Sequence, residues 1–352
     1  MKNEHRRIIY VKDNFLTEKE FLSREFNLEI KISNTLVKDC LREISLYGNC
    51  LVATPNPFEI VAEISALPEA SVIVFLLGNE TYEPHLFNCF NIAKSIKWAF
   101  IYNLPSQICK MTPIVTFLGD MIDSKFERMF GKESSWRDFL ISRSLKNKFK
   151  AIDITYPHSR FPQGYSNSFV HQLFHLNIVN SQESIYESKR LLELRDSNNR
   201  TIYLNFIGQL TNRRRSDAIK MANKISNTVI RISEGFGGTR YTDNFYVETQ
   251  LNSLYCLVPP GFFNNQNHRY AESLILGSMP LILSHNSIDP SENLNWTKNI
   301  NLISGHSFKY LFRYASKILE KQRRQILTSE LANERVNVLK VQDQLESLLL
   351  RH

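Results

Sequence analysis

The chain has few cysteines and no order among them. Cys40, Cys50, Cys89, Cys109 and Cys256 are scattered, odd in number and never spaced C-x-x-C. That pattern suggests neither a disulfide framework nor a cysteine-built zinc site, and it fits a reducing compartment. No run approaches the roughly 18 apolar residues that cross a bilayer, and the first residues, MKNEHRRIIYVKDNF, lack the apolar stretch of a secretory signal. The expected location is therefore cytoplasmic. Also missing are G-x-x-x-x-G-K-[ST], H-E-x-x-H, G-x-S-x-G and an intact G-x-G-x-x-G, so P-loop phosphoryl transfer and zinc hydrolysis find no support. Long basic tails are absent too. The formal charge is +8, yet its densest cluster is only Arg213, Arg214 and Arg215, which argues against nucleic acid and for a small anionic partner.

What is present is a folded composition, 43% hydrophobic and 22% charged over 352 residues, long enough for two cores. Apolar runs at Ile8 to Val11, Cys50 to Ala53, Ser71 to Leu77, Ala99 to Tyr102 and Ile114 to Leu118 alternate with helical stretches. Such alternation predicts a parallel sheet flanked by helices, with ligands beyond the carboxyl ends of its strands. A polar cluster at 195–200 marks a linker, after which strands at Thr201 to Ile207, Val229 to Ile232, Leu254 to Val258 and Leu281 to Leu283 predict a second Rossmann-like unit. The expected division is 1–195, 200–306 and a helical segment 307–352. In that last segment Leu327, Leu331, Val338, Val341, Leu345 and Leu348 form a broken 4,3 seam. A helix packed on its own protein explains the seam better than a coiled coil, while a homodimer through it stays open.

The stretch YCLVPPGFFNNQNHRYAESLILGSMPLILS, Tyr255 to Ser284, is the most informative. It reads as strand, Pro-Gly loop, helix and strand, with the helix starting near His268. The N–H groups and dipole at such a helix start suit a diphosphate. Arg269 in the first turn can pair with phosphate, and Glu272, three residues on, can accept both hydroxyls of a ribose. The plain alternative is an exposed i,i+3 ion pair.

Pro259-Pro260-Gly261, Arg269-x-x-Glu272 and Gly277-Ser278-Met279-Pro280-Leu281-Ile282 resemble the C-terminal signature of exostosin-like glycosyltransferases. Phe206-Ile207-Gly208 followed by Asn212-Arg213-Arg214-Arg215 is similar to the segment that opens that family's donor domain. These pieces cover about a quarter of the chain, from Thr201 to Asn286. The resemblance implies an α/β fold of the GT-B type, two Rossmann-like domains facing a cleft, here with a C-terminal helical extension. It implies a donor site drawn from Gly208, Arg213, Arg214, Arg215, Pro259, Gly261, His268, Arg269, Glu272 and Ser273. The expected activity is transfer of a hexosyl or pentosyl group from a nucleoside diphosphate, UDP first, to a glycan hydroxyl in bacterial surface polysaccharide synthesis. A lipid-linked acceptor and peripheral contact with the inner face of the membrane would suit the basic surface. No Asp-x-Asp triplet is present, and neither metal nor cofactor is expected. The alternatives are a nucleotide-sugar epimerase or a non-catalytic nucleotide-binding protein of the same fold.

The N-terminal part offers no such match, so its catalytic base is sought from position alone. Asp120 ranks first and Glu80 second, because each follows an expected strand. His158 is third, in the aromatic stretch YPHSRFPQGYSNSFVHQLFH, which reads either as an acceptor-binding loop or as a surface connection packing its rings on the first domain. His171 and His175 stand at i,i+4 but lack a third ligand, so packing explains them better than a metal.

Overall fold

A computed structural model describes residues 7–12, 17–77, 89–102, 154–162, 164–180, 183–196, 199–208, 213–232, 244–259, 268–283, 304–305, 312–313 and 315–350. These form an α/β protein with two parallel sheets. The first contains β1 (Arg7–Val11), β2 (Leu28–Ile32), β3 (Cys50–Thr54), β4 (Val72–Leu76), β5 (Ile96–Tyr102) and β6 (His158–Phe161), in the order β2-β1-β3-β4-β5-β6. Every neighbouring pair in it is parallel. The central strands CLVAT and VIVFL are buried at every residue, as expected for a sheet covered on both faces. Their alternate side chains feed two cores. Tyr10, Val52, Val74 and Ala99 enter one, and Ile9, Leu51, Ile73 and Phe100 enter the other.

The crossover segments include α1 (Lys19–Glu25), α2 (Leu36–Tyr47) and α3 (Val61–Ser65), followed after β6 by α4 (Asn167–His175) and α5 (Lys189–Arg195). Helix α2 ends on Gly48 in the left-handed region, where a residue without Cβ closes the last turn. Two elements differ from the expected pattern. β2 has no counterpart in the expected pattern, and the stretch around His158, expected to be a loop, supplies strand β6 and then α4.

The second sheet contains β7 (Ile202–Gly208), β8 (Thr228–Ile232), β9 (Ser253–Val258), β10 (Met279–Leu283) and the two-residue β11 (Ser304–Gly305), in the order β11-β10-β9-β7-β8, again parallel throughout. Helices α6 (Arg213–Ala222), α7 (Phe245–Leu251) and α8 (Arg269–Ile275) connect them. Arg200 locks the start of this unit. Its guanidinium donates to the carbonyls of Arg195, Gln250, Ser253 and Leu276 at 2.7–3.1 Å, and burial lowers its pKa to about 10. The polar junction read as a linker is thus pinned to two connections of the second sheet. One buried cluster runs from the first sheet through α1 and α4 to the second sheet.

The long α9 (Glu320–Leu350) joins the same cluster. Leu327, Leu331, Val338, Val341, Leu345 and Leu348 are all buried against the chain itself. Arg323 Nη1 donates to the Gly277 carbonyl at 3.2 Å, while Lys97 of β5 donates to the Leu348 carbonyl at 2.8 Å. Helix α9 therefore touches both sheets' halves. Among the described residues no helix is long and apolar enough to cross a membrane.

Glu334, which breaks the apolar seam in sequence, is buried within it. Burial raises its pKa to about 8, and the Glu330 charge adds to the rise. Tyr270 of α8 faces the same acidic pair, and Tyr186 faces Glu334. Since the folded pKa exceeds the usual carboxyl value, this stability is fully present below about pH 4.5. It is lost as pH rises through 8. Glu334→Gln is expected to melt above the wild type at pH 8.5 by an amount on the order of 3 kcal/mol, and to differ little at pH 4.5. Thermal melts at the two pH values check this, and an equal difference at both would refute it.

Candidate functional site at the carboxyl edges

Strand order places a topological switch point in each sheet, between β1 and β3 and between β7 and β9. In such sheets ligands bind beyond the carboxyl ends of the strands at that point. At the second switch point β7 ends on Ile207 and Gly208 and β9 on Val258, with buried Pro259 following. Arg269, at the start of α8, lays its side chain across this edge. Its Nε donates to the Ile207 carbonyl at 2.7 Å, and its guanidinium carbon stands 5.4 Å from the centre of the Phe206 ring. A Cβ on Gly208 would overlap the guanidinium, so the close approach requires glycine there.

The first sheet's carboxyl edge meets the same place. Tyr102, the last residue of β5, has its ring 6.0 Å from that of His268, and Glu18, from the segment after β1, faces His268 Nε2 at 3.4 Å. Beyond β6, Ser166 caps α4 by accepting from Phe169 N. It also turns both donors on Glu272, since Ser166 N and Oγ reach Oε1 at 3.0 and 2.7 Å. Tyr246 of α7 donates to Oε2 at 2.7 Å. The Glu272 carboxylate is buried, not the exposed member of an i,i+3 ion pair. A further bond, Val247 N to Gln172 Oε1 at 3.2 Å, braces α7 against α4.

Charge at this site follows from burial and pairing. Burial opposes a charged His268, but the hydrogen bond and charge of Glu18, the charge of Glu272 and the Gly164 backbone outweigh it, raising the pKa to about 9. The Gly164 contribution is weak, because Nδ1 makes no hydrogen bond of good geometry. Tyr246 is pushed well above its ordinary value by burial and then by Glu272.

The residues expected from sequence fall into three groups. Gly208, Pro259, His268, Arg269 and Glu272 lie at or beside the β7–β9 edge. Ser273 belongs to α8 but is fully buried, its hydroxyl donating to the Tyr270 carbonyl at 2.9 Å. Arg215 is buried in α6, whose first two residues are Arg213 and Arg214. Gly261, Glu80 and Asp120 lie outside the described residues.

His158 corrects the expectation placed on it. It pairs with Ala99 at the amino end of β6, whereas Tyr102, at the carboxyl edge beside His268, pairs with Phe161. Its Nδ1 contacts the Tyr156 carbonyl at 3.0 Å. His171 and His175 are exposed on α4, and among the described residues no group of three metal-ligating side chains occurs. Glu18, Tyr102, Ser166 and Tyr246 carried no sequence signal; only the topology assembles them. Compared with known proteins, the chain matches no family model and no curated sequence.

Proposed function

We propose that this chain is a GT-B glycosyltransferase that moves a sugar from a nucleoside diphosphate, UDP first among them, to a glycan hydroxyl. The observation that carries the reading is Arg269 lying across the end of β7 at the switch point. A guanidinium there supplies charge-assisted donors where the fold places its ligands. Glu272 on the same helix then takes the ribose hydroxyls once Ser166 gives way. The resemblance also implies donor-site roles for Arg213, Arg214 and Arg215, which follow β7 in sequence. The chain's positive charge also suits a lipid-linked acceptor at an anionic membrane face.

The second reading is a nucleotide-binding protein of the same fold without transfer. Turnover separates the two. The purified chain is offered a panel of nucleotide sugars with and without glycan acceptors, in EDTA. Acceptor-dependent release of free nucleotide is expected to survive chelation. Binding without release selects the second reading, and loss in EDTA with restoration by manganese would overturn the metal-free leaving-group assignment.

A further inference from the structure

Ser166 belongs to the first sheet's half, in a segment that this half holds from below. Gly164 has φ +60°, and a Cβ there would overlap the Phe21 ring, while Tyr165 donates to Glu25 Oε1 at 2.6 Å. Ser166 then opens α4. Its hydroxyl accepts from Phe169 N at 3.4 Å and lies 3.1 Å from Ser168 Oγ. From this position it donates twice to the second half, through N and Oγ, and both bonds fall on one oxygen, Glu272 Oε1.

An ionised carboxylate offers about four acceptor positions, two on each oxygen. Ser166 fills both on Oε1, and Tyr246 takes one on Oε2 at 2.7 Å. The vicinal hydroxyls of a ribose need two positions, so a protein donor must leave before the diol can bind. Tyr246 is buried, and its hydroxyl would be stranded by the exchange. Ser166 is only half-buried, and its hydroxyl has Ser168 Oγ beside it as a second partner. Ser166 is therefore the donor that yields.

We infer that Ser166 is a built-in competitor for Glu272: a ligand carrying a vicinal diol displaces it and parts α4 from α8, and a ligand without the diol leaves the two helices joined. This rests on the nucleotide reading above and adds to it a regulating contact from the half that the family resemblance does not cover. The consequence is coupling. Occupancy of Glu272 reaches α4, which Gln172 also braces against α7 by accepting from Val247 N at 3.2 Å.

Calorimetry on the full chain tests this, with UDP and 2′,3′-dideoxy-UDP as probes. Ser166→Ala removes the competing hydroxyl and is expected to bind UDP about tenfold more tightly than wild type, with the dideoxy ligand bound as before. Loss of the α4 cap alone would neither tighten binding nor distinguish the two ligands. Hydrogen exchange on the wild type is the second measurement, and it serves where Ser166→Ala does not fold. UDP is expected to speed exchange of the Ser166 amide, and dideoxy-UDP to leave it slow. A Ser166→Ala protein that gains no affinity for UDP, or gains equally for both ligands, overturns the inference while the nucleotide reading stands. An amide whose exchange UDP does not speed does the same. Failure of the wild type to bind either probe removes both.

Discussion

Glu272→Ala is expected to lower folding stability by about 3–5 kcal/mol and UDP affinity by about tenfold or more. The first effect follows from what the carboxylate holds. Ser166 N, Ser166 Oγ and Tyr246 OH all donate to it, and alanine would leave these donors unpaired in a buried place. From sequence alone the same substitution should have spared the fold, since an exposed acid on a helix contributes little. Glu272→Gln separates the two effects. The amide oxygen can still accept from Ser166, and the Tyr246 hydroxyl can rotate, so the melt should stay near wild type while the charge-assisted bonds to a ribose weaken. A Glu272→Gln protein that melts normally and binds UDP as tightly as wild type by calorimetry would end the ribose assignment.

The contrast shows which features of this chain were legible. Strands with an unbroken apolar run were read close to their limits. Ser71 to Leu77 became β4 (Val72–Leu76), and Leu254 to Val258 became β9 (Ser253–Val258). Such runs are forced by burial on both sheet faces, so composition alone reveals them. β2 was missed because it is an edge strand paired only with β1, and its sequence LEIKI is mostly exposed. β6 was missed because HSRF has little strand character of its own; the ladder to β5 makes it one. The expected strand Ile114 to Leu118 lies outside the described residues.

The site divides along the same line. Arg269 is legible because a strand, a loop and a helix in local order announce a ligand-bearing turn, whereas Gly208 enters through the resemblance to a donor-domain opening. Their mutual contact was not legible, since it joins residues about 60 apart in the chain. Glu18 shows the limit best. It lies 250 residues from His268, next to a short helix, and as a charged residue in sequence it reads as solvated surface. Only the meeting of two carboxyl edges turns it into a buried acid facing a histidine. For the same reason Arg200, at the end of a polar run, looked like linker and is a four-carbonyl clasp.

The base that activates the acceptor is expected on the first sheet's side of the cleft, and replacing it should cost about 10²–10⁴-fold in kcat. His158 loses its claim by standing at the amino end of β6. Two carboxylates remain from the sequence reading, Asp120 and Glu80, both outside the described residues. Glu80→Gln and Asp120→Asn should therefore be assayed at saturating donor, with donor affinity measured alongside. A true base will lose turnover while nucleotide binding is preserved, because the group acts on the attacking hydroxyl and not on the donor. If both variants turn over normally with donor and acceptor bound, neither carboxylate is the base. The search then passes to other groups on the first sheet's edge, or to a retaining mechanism that uses no such base.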